Sequence, residues 1–282
     1  MRYEHFSCPA CVVPSAEMRQ SGWPLAFLMA LAAAAQAADE HDPLVLARQL
    51  YNQRDFQAAL AAADQARLNP AGADSADLIA ARAFLERFRQ SGAAGDLTSA
   101  RERLHRLDPQ RFRPRERVEY IVGLGETLYL DGSYGAAADV FDSVLALNGA
   151  LTGGERERVV EWWASALDRD ARPRTDFERQ AVYQRIRDRM HTELAAAPTS
   201  TAAVYWLSAA ARGQGDLQGA WDAAEAGWVR ASLAGDHGAA LRADLEQLVT
   251  RALIPERARA LGQPAETIRL DWERFKERWQ QP

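Results

Sequence analysis

The sequence predicts an all-α chain of repeated helix–turn–helix units closed by a C-terminal capping helix. Three observations carry this. First, five short phrases recur: Arg54-Asp55-Phe56, Gly95-Asp96-Leu97, Gly132-Ser133-Tyr134, Thr175-Asp176-Phe177 and Gly215-Asp216-Leu217. Their last residues lie 41, 37, 43 and 40 positions apart, and self-similarity at a fixed period of this size marks a repeat architecture. Second, a small residue follows three positions behind the large apolar one, at Ala59, Ala100, Ala137 and Ala220, with Gln180 departing from the rule. Ala63, Leu104, Phe141 and Ala224 come seven positions behind, and Ala66, Leu107, Val144 and Gly227 ten. Offsets of 0, 3, 7 and 10 fall on one face of an α-helix. Third, no segment alternates with the period of two that a half-buried strand requires.

Taken in order, each unit opens with an amphipathic stretch: 43–53, 75–90, 115–130, 155–169 and 201–213. The recurring phrase then starts a second helix, because an Asp or Ser there can accept from the free N–H groups of the first turn. Pro70, Pro109 and Pro198 stop the second helices. Longer turns are expected at Arg89–Gly95 and Arg169–Arg174. Residues 237–253 continue as helix with Leu241, Leu245 and Leu248 on one face. The last helix opens at Pro264, a favoured first-turn residue. It presents Ile268, Trp272, Phe275 and Trp279 as one stripe against charged outer faces, as a cap covering the final repeat needs. The repeat domain is thus expected over 38–262 and the cap over 263–282. With 48% hydrophobic residues and 26% charged, the chain can bury the core this requires.

The third unit carries the clearest signature: Ile121-x2-Leu124-Gly125-x2-Leu128, then Ala137-x3-Phe141. Trp162 and Ala166 fall in the same places in the fourth unit, and Val204 and Ser208 in the fifth. In these residues the chain resembles the tetratricopeptide repeat family, over about residues 43–234. The units run longer than the ~34 residues of that pattern, and the fourth lacks its small residue. The resemblance implies a right-handed α-solenoid whose first helices line a concave groove for a peptide or protein segment. It implies no catalytic activity.

Residues 23–38 read as the apolar stretch of a secretory signal, and Ala35-Gln36-Ala37 fits the small-x-small cleavage rule. Met18-Arg19 supplies the short basic start, so residues 18–37 are expected to be a signal peptide and 1–17 an upstream over-extension. Cleavage near Ala37 would leave an exported chain, periplasmic or secreted, without stable membrane insertion. Cys8 and Cys11, the only cysteines, lie in the over-extension, so the mature chain would hold no disulfide.

Composition excludes several chemistries. Lys276 is the only lysine, so 33 of the 34 basic residues are arginine; a phosphate-binding loop of the G-x-x-x-x-G-K-[ST] type is absent, and a Schiff-base lysine has no candidate in the chain interior. His41, His105, His191 and His237 show no metal-ligand spacing. No catalytic constellation, metal or cofactor is expected. A net charge of −5 and the missing lysines argue against a nucleic-acid partner.

Two surfaces are candidates for a partner. Aligning the first helices on Gly125, Ala166 and Ser208 places Val122, Trp163 and Tyr205 at one position, turned toward the groove. Glu126, Tyr129 and Arg212 follow one turn or more along the same faces. Aromatic residues with scattered arginines suit recognition, giving contact area at low entropy cost; the alternative is that Trp163 and Tyr205 pack between repeats. Phe56, Tyr134, Phe141, Trp162, Trp221 and Trp228 are assigned to the stack. The second surface is the segment 101–117, seven arginines against three carboxylates, where Arg111, Arg113 and Arg115 could dock an anionic partner or form a solvated face. The expected function is an exported scaffold or adaptor binding a protein or peptide. The alternatives are an accessory or cryptic envelope enzyme and a self-associating structural subunit.

Overall fold

The computed structural model describes residues 42–147 and 149–280, which form helices and turns with no strand among the described residues. The signal segment 18–37, the Cys8/Cys11 pair and His41 lie outside them. The expected first helices are α1 (Pro43–Asn52), α3 (Ala73–Ser91), α5 (Pro114–Leu130), α7 (Gly153–Ala171) and α9 (Thr201–Gly213). The second helices are α2 (Phe56–Ala66), α4 (Ala94–His105), α6 (Tyr134–Leu145), α8 (Asp176–Ala196) and α10 (Leu217–Arg230). Helix α11 (Gly238–Leu248) runs through a π-helical turn, Val249–Leu253, into α12 (Ile254–Leu261), and α13 (Ala265–Gln280) ends the described chain.

The helix starts follow capping chemistry. Asp42, Asp55, Ser200 and Asp216 each accept from a first-turn N–H, at 2.9, 3.0, 3.2 and 2.8 Å, satisfying donors that the helix itself leaves free. Thr175 and Glu178 form a reciprocal capping box. Four of the five turns between first and second helices hold a left-handed residue just before the second helix's cap: Gly92 (φ 69°), Gly132 (φ 85°), Gly215 (φ 82°) and, in the first unit, Arg54 (φ 64°). At that place only Arg54 carries a side chain, which crowds its own backbone there.

Each helix packs on its predecessor and successor through α11. The odd helices also pack on one another in sequence, α1 on α3, α3 on α5, α5 on α7, α7 on α9 and α9 on α11. The small residues make these approaches possible. Ala59, Ala100, Ala137 and Ala220 are fully buried, and a Cβ at Gly125 would meet the Phe141 ring at 2.6 Å. The Ser208 hydroxyl is buried and donates to the Ala220 carbonyl at 2.7 Å. The largest core cluster extends from α6 to α13. At its end Trp272 lies edge-on to Trp221 and Trp228, 5.7 and 5.5 Å between ring centroids, and stacks on Phe275. The lone lysine belongs here: Lys276 pairs with Glu246 at 3.0 Å and Glu273 at 2.9 Å.

Four expectations need correction. Asp96 does not cap a helix; α4 begins at Ala94, and Asp96 is buried in its first turn against Arg87 at 3.2 Å. The long turn at Arg89–Gly95 shrinks to Gly92 and Ala93, because good helix formers carry α3 through Ser91. Phe177 is 84% exposed, since α8 buries Tyr183, Ile186, Met190 and Leu194 instead and its first turn and a half projects beyond the packing face. Trp279 is 56% exposed and the capping stripe ends at Phe275. No helix of the described residues is long and apolar enough to cross a membrane.

Candidate functional site

The odd helices turn a common face to one side, and the side chains on it enclose three adjoining cavities. Tyr51 of α1, Arg82, Glu86 and Arg89 of α3, and Arg115, Glu119, Val122 and Glu126 of α5 line the first part together with Arg158 and Trp162 of α7. Arg89, Arg158 and Trp162 then lead into a second part bounded by Tyr205, Trp206 and Arg212 of α9 and Ala240, Leu241 and Asp244 of α11. The floor of the first part is narrow, about 60 Å³, room for a few waters or one side-chain tip. The second part opens to about 670 Å³. Together they form a groove continuous from Tyr51 to Leu248, built mainly from α1, α3, α5, α7, α9 and α11, with Phe56 of α2, Tyr183 of α8 and a few turn residues at its edges.

Polar rungs tie neighbouring walls. Arg82 of α3 pairs with Glu119 of α5 at 2.9 Å, and Arg115 of α5 holds Glu155 of α7 through both guanidinium nitrogens, one at 2.8 Å. Tyr129 of α5 and Ser165 of α7 share a 2.8 Å hydrogen bond. Glu157 of α7 accepts from Ser200 Oγ, Thr201 Oγ1 and the Ala202 N–H, so its charge sits on the N-terminus of α9, where the helix dipole favours it. Arg212 of α9 holds Glu256 of α12 at 2.6 and 2.9 Å.

These surroundings move the carboxylates in opposite directions. The Arg115 hydrogen bonds lower Glu155 to about 2. Burial raises Glu126, with Arg89 and Arg82 opposing it. Burial also raises Glu161; its side chain is open to the groove, yet the walls shield the carboxylate, which accepts from Trp206 Nε1 at 2.7 Å.

The structure gathers most of the expected groove residues. Val122 and Glu126 line the narrow part, and Tyr205 and Arg212 the wide part. Tyr129 is half-buried beside them, 4.7 Å edge-on from the Trp162 ring. Trp163 is the correction. It is 1% exposed, under Arg185 and Arg189 of α8, and the groove position belongs to Trp162, which the sequence alignment had assigned to the stack. One residue along a helix turns a side chain by about 100°, so aligning α7 on Ala166 rotated it off the groove. Of the other stack residues, Phe56, Phe141, Trp221 and Trp228 are buried and Tyr134 is half-buried.

The arginine segment 101–117 is partly matched by carboxylates, while Arg106, Arg113 and Arg117 have none within 4 Å among the described residues. Arg101 pairs with Asp131 at 2.6 Å, Arg103 with Asp64 at 2.7 Å and with Asp77, and Arg111 with Asp74 at 3.2 Å. Arg115 lines the groove. The carboxylates come from α2, α3 and the α5–α6 turn, so a count within the segment could not include them. His105 and His191 are exposed and line none of the three groove cavities; His237 lies at the wide end. Among the described residues no three His, Cys, Asp or Glu side chains gather to hold a metal.

The residues that sequence reasoning missed are Tyr51, Arg89, Arg158, Trp162 and Arg169. Their signal was present in the spacing. Arg158, Trp162, Ser165 and Arg169 are separated by 4, 3 and 4, one stripe of α7. No family model matches the chain, and no curated protein or solved structure matches it either.

Proposed function

We propose that the chain is an exported helical-repeat adaptor, a right-handed α-solenoid of tetratricopeptide type whose odd helices form the concave wall, and that this wall binds an extended segment of another protein. The observation that carries the reading is the groove itself: it is continuous, lined mainly by the odd helices, and furnished with Tyr51, Trp162, Tyr205 and Trp206 among arginines and carboxylates. Such side chains dominate binding energetics where they are rigidly held. Trp162 is held by Tyr129 on one side and the Arg89 guanidinium, 4.8 Å over its ring, on the other. Residues 18–37 would direct the chain out of the cytoplasm, and nothing in the proposal requires a cofactor.

The test is binding of a random peptide library to the purified full chain, wild type against Trp162→Ala with Tyr205→Ala. The double variant should keep its helical circular dichroism and lose at least about tenfold in affinity for the selected peptides, the ~1.4 kcal/mol expected for one groove aromatic. Unchanged affinity would remove the groove from the proposal.

A further inference from the structure

The distribution of charge along α7 narrows the partner, resting on the groove reading above. Most groove arginines are already matched. Arg82 meets Glu119 at 2.9 Å, Arg89 meets Glu86 at 3.1 Å and Glu126 at 3.7 Å, and Arg115 holds Glu155 and Glu119. Arg172 meets Asp168 and Arg212 meets Glu256, both at 2.6 Å. Two on α7 are different. Among the described residues, neither Arg158 nor Arg169 has a carboxylate within 4 Å, and both are exposed to the groove. Arg158 stands where the three cavities meet. Arg169 is held in place without being neutralised: its guanidinium lies over Tyr129 and Tyr134, 5.0 and 5.4 Å from their centroids, and donates to the Tyr134 hydroxyl at 3.1 Å.

Most groove carboxylates point to other partners, and among the described residues none lies within 4 Å of this pair. Glu157 is consumed by the start of α9, Glu161 accepts from Trp206, and Glu126 is enclosed beside Arg89. Glu161, turned to Trp206, and Asp244, on the opposite wall, are exposed groove carboxylates without a cation partner among the described residues. Arg158 and Arg169 are eleven residues apart on one helix face, about 16 Å along the axis, with the Trp162 ring between them. An extended chain covers that distance in about five residues. A partner carboxylate placed on each arginine would form a charge-assisted, planar pair, and an apolar side chain between them would lie on Trp162.

We propose that the groove selects an acidic, extended protein segment with two side-chain carboxylates about five residues apart flanking an apolar residue. The experiment selects a random 12-residue peptide library on the purified full chain, on Arg158→Gln/Arg169→Gln, on Trp162→Ala and, as a control outside the groove, on Arg106→Gln. Wild type and the control should enrich peptides with Asp or Glu on both sides of an apolar residue. The arginine double variant should lose that enrichment and bind the wild-type-selected peptides at least about tenfold more weakly. Peptides that depend on Trp162 but show no preference for acid overturn this inference and leave the groove reading standing. No peptide that depends on Trp162 overturns both. Vesicles of anionic phospholipid bound by wild type as tightly as the selected peptides, and released by the same arginine substitutions, would overturn a protein segment as the occupant.

Discussion

Arg54 shows at the scale of one residue how the fold constrains the sequence. Three equivalent turns use Gly92, Gly132 and Gly215 at positive φ, while the first unit places Arg54 at φ 64°. The exposed arginine side chain makes no hydrogen bond or ion pair among the described residues that would offset the strain. Arg54→Gly should therefore stabilise the protein by about 0.5–1 kcal/mol, read as a raised denaturant midpoint; a lowered midpoint would contradict the turn geometry. The groove carboxylates give a second test, with opposite signs. Glu155 is depressed to about 2, so its contribution is present above the ordinary carboxylate range and fades as pH falls from about 4.5 toward about 2. Arg115 is 46% exposed, so solvent screening holds the effect to about 1 kcal/mol. E155Q should be less stable than wild type at pH 7 and equal to it near pH 2. Glu126 is raised by burial, so ionising it costs stability as pH rises through its raised value. E126Q should match or exceed wild type at pH 7 and lose that standing as the pH falls. Chemical denaturation of both variants from pH 7 to pH 2 checks the pair; parallel curves would contradict it.

At the scale of the element, α8 is where pattern and packing part. The recurring phrase put Phe177 at the buried start of a second helix, as Phe56 is in α2. The structure leaves Phe177 84% exposed and begins the buried row at Tyr183. Tyr183 packs where a Cβ on Gly213 would meet its ring at 2.5 Å, and its hydroxyl donates to Asp168 at 2.9 Å. Phe177→Ser should change stability by no more than about 0.5 kcal/mol, whereas Tyr183→Ala should cost about 3 kcal/mol. Thermal unfolding of the two separates these outcomes, and a large loss at Phe177 would restore the simpler pattern. Helix order, the caps at Asp55 and Asp216 and the small residues at Ala59, Ala100, Ala137 and Ala220 were legible because they are local: periodicity and hydrogen-bond chemistry within a few residues determine them. The rotation of α7 was not. Trp162 and Trp163 are adjacent, both large, and only the placement of α6 and α8 decides which one is buried. The same holds for the 101–117 arginines, whose partners come from other elements.

At the scale of the whole molecule, the odd helices act together. Each through α11 meets the next, and side-chain rungs cross the gaps: Arg82 to Glu119, Arg115 to Glu155, Tyr129 to Ser165 and Glu157 to the start of α9. A wall tied in this way presents its aromatic side chains at fixed separations, and a preorganised surface loses less entropy on binding. The central claim, that this wall is the face that holds the partner, is tested most directly by photo-crosslinking with benzoylphenylalanine in place of Tyr205 in the groove or Phe177 on exposed α8. The account predicts a crosslinked partner segment from position 205 and none from position 177. Crosslinking at 177 with none at 205 would contradict it.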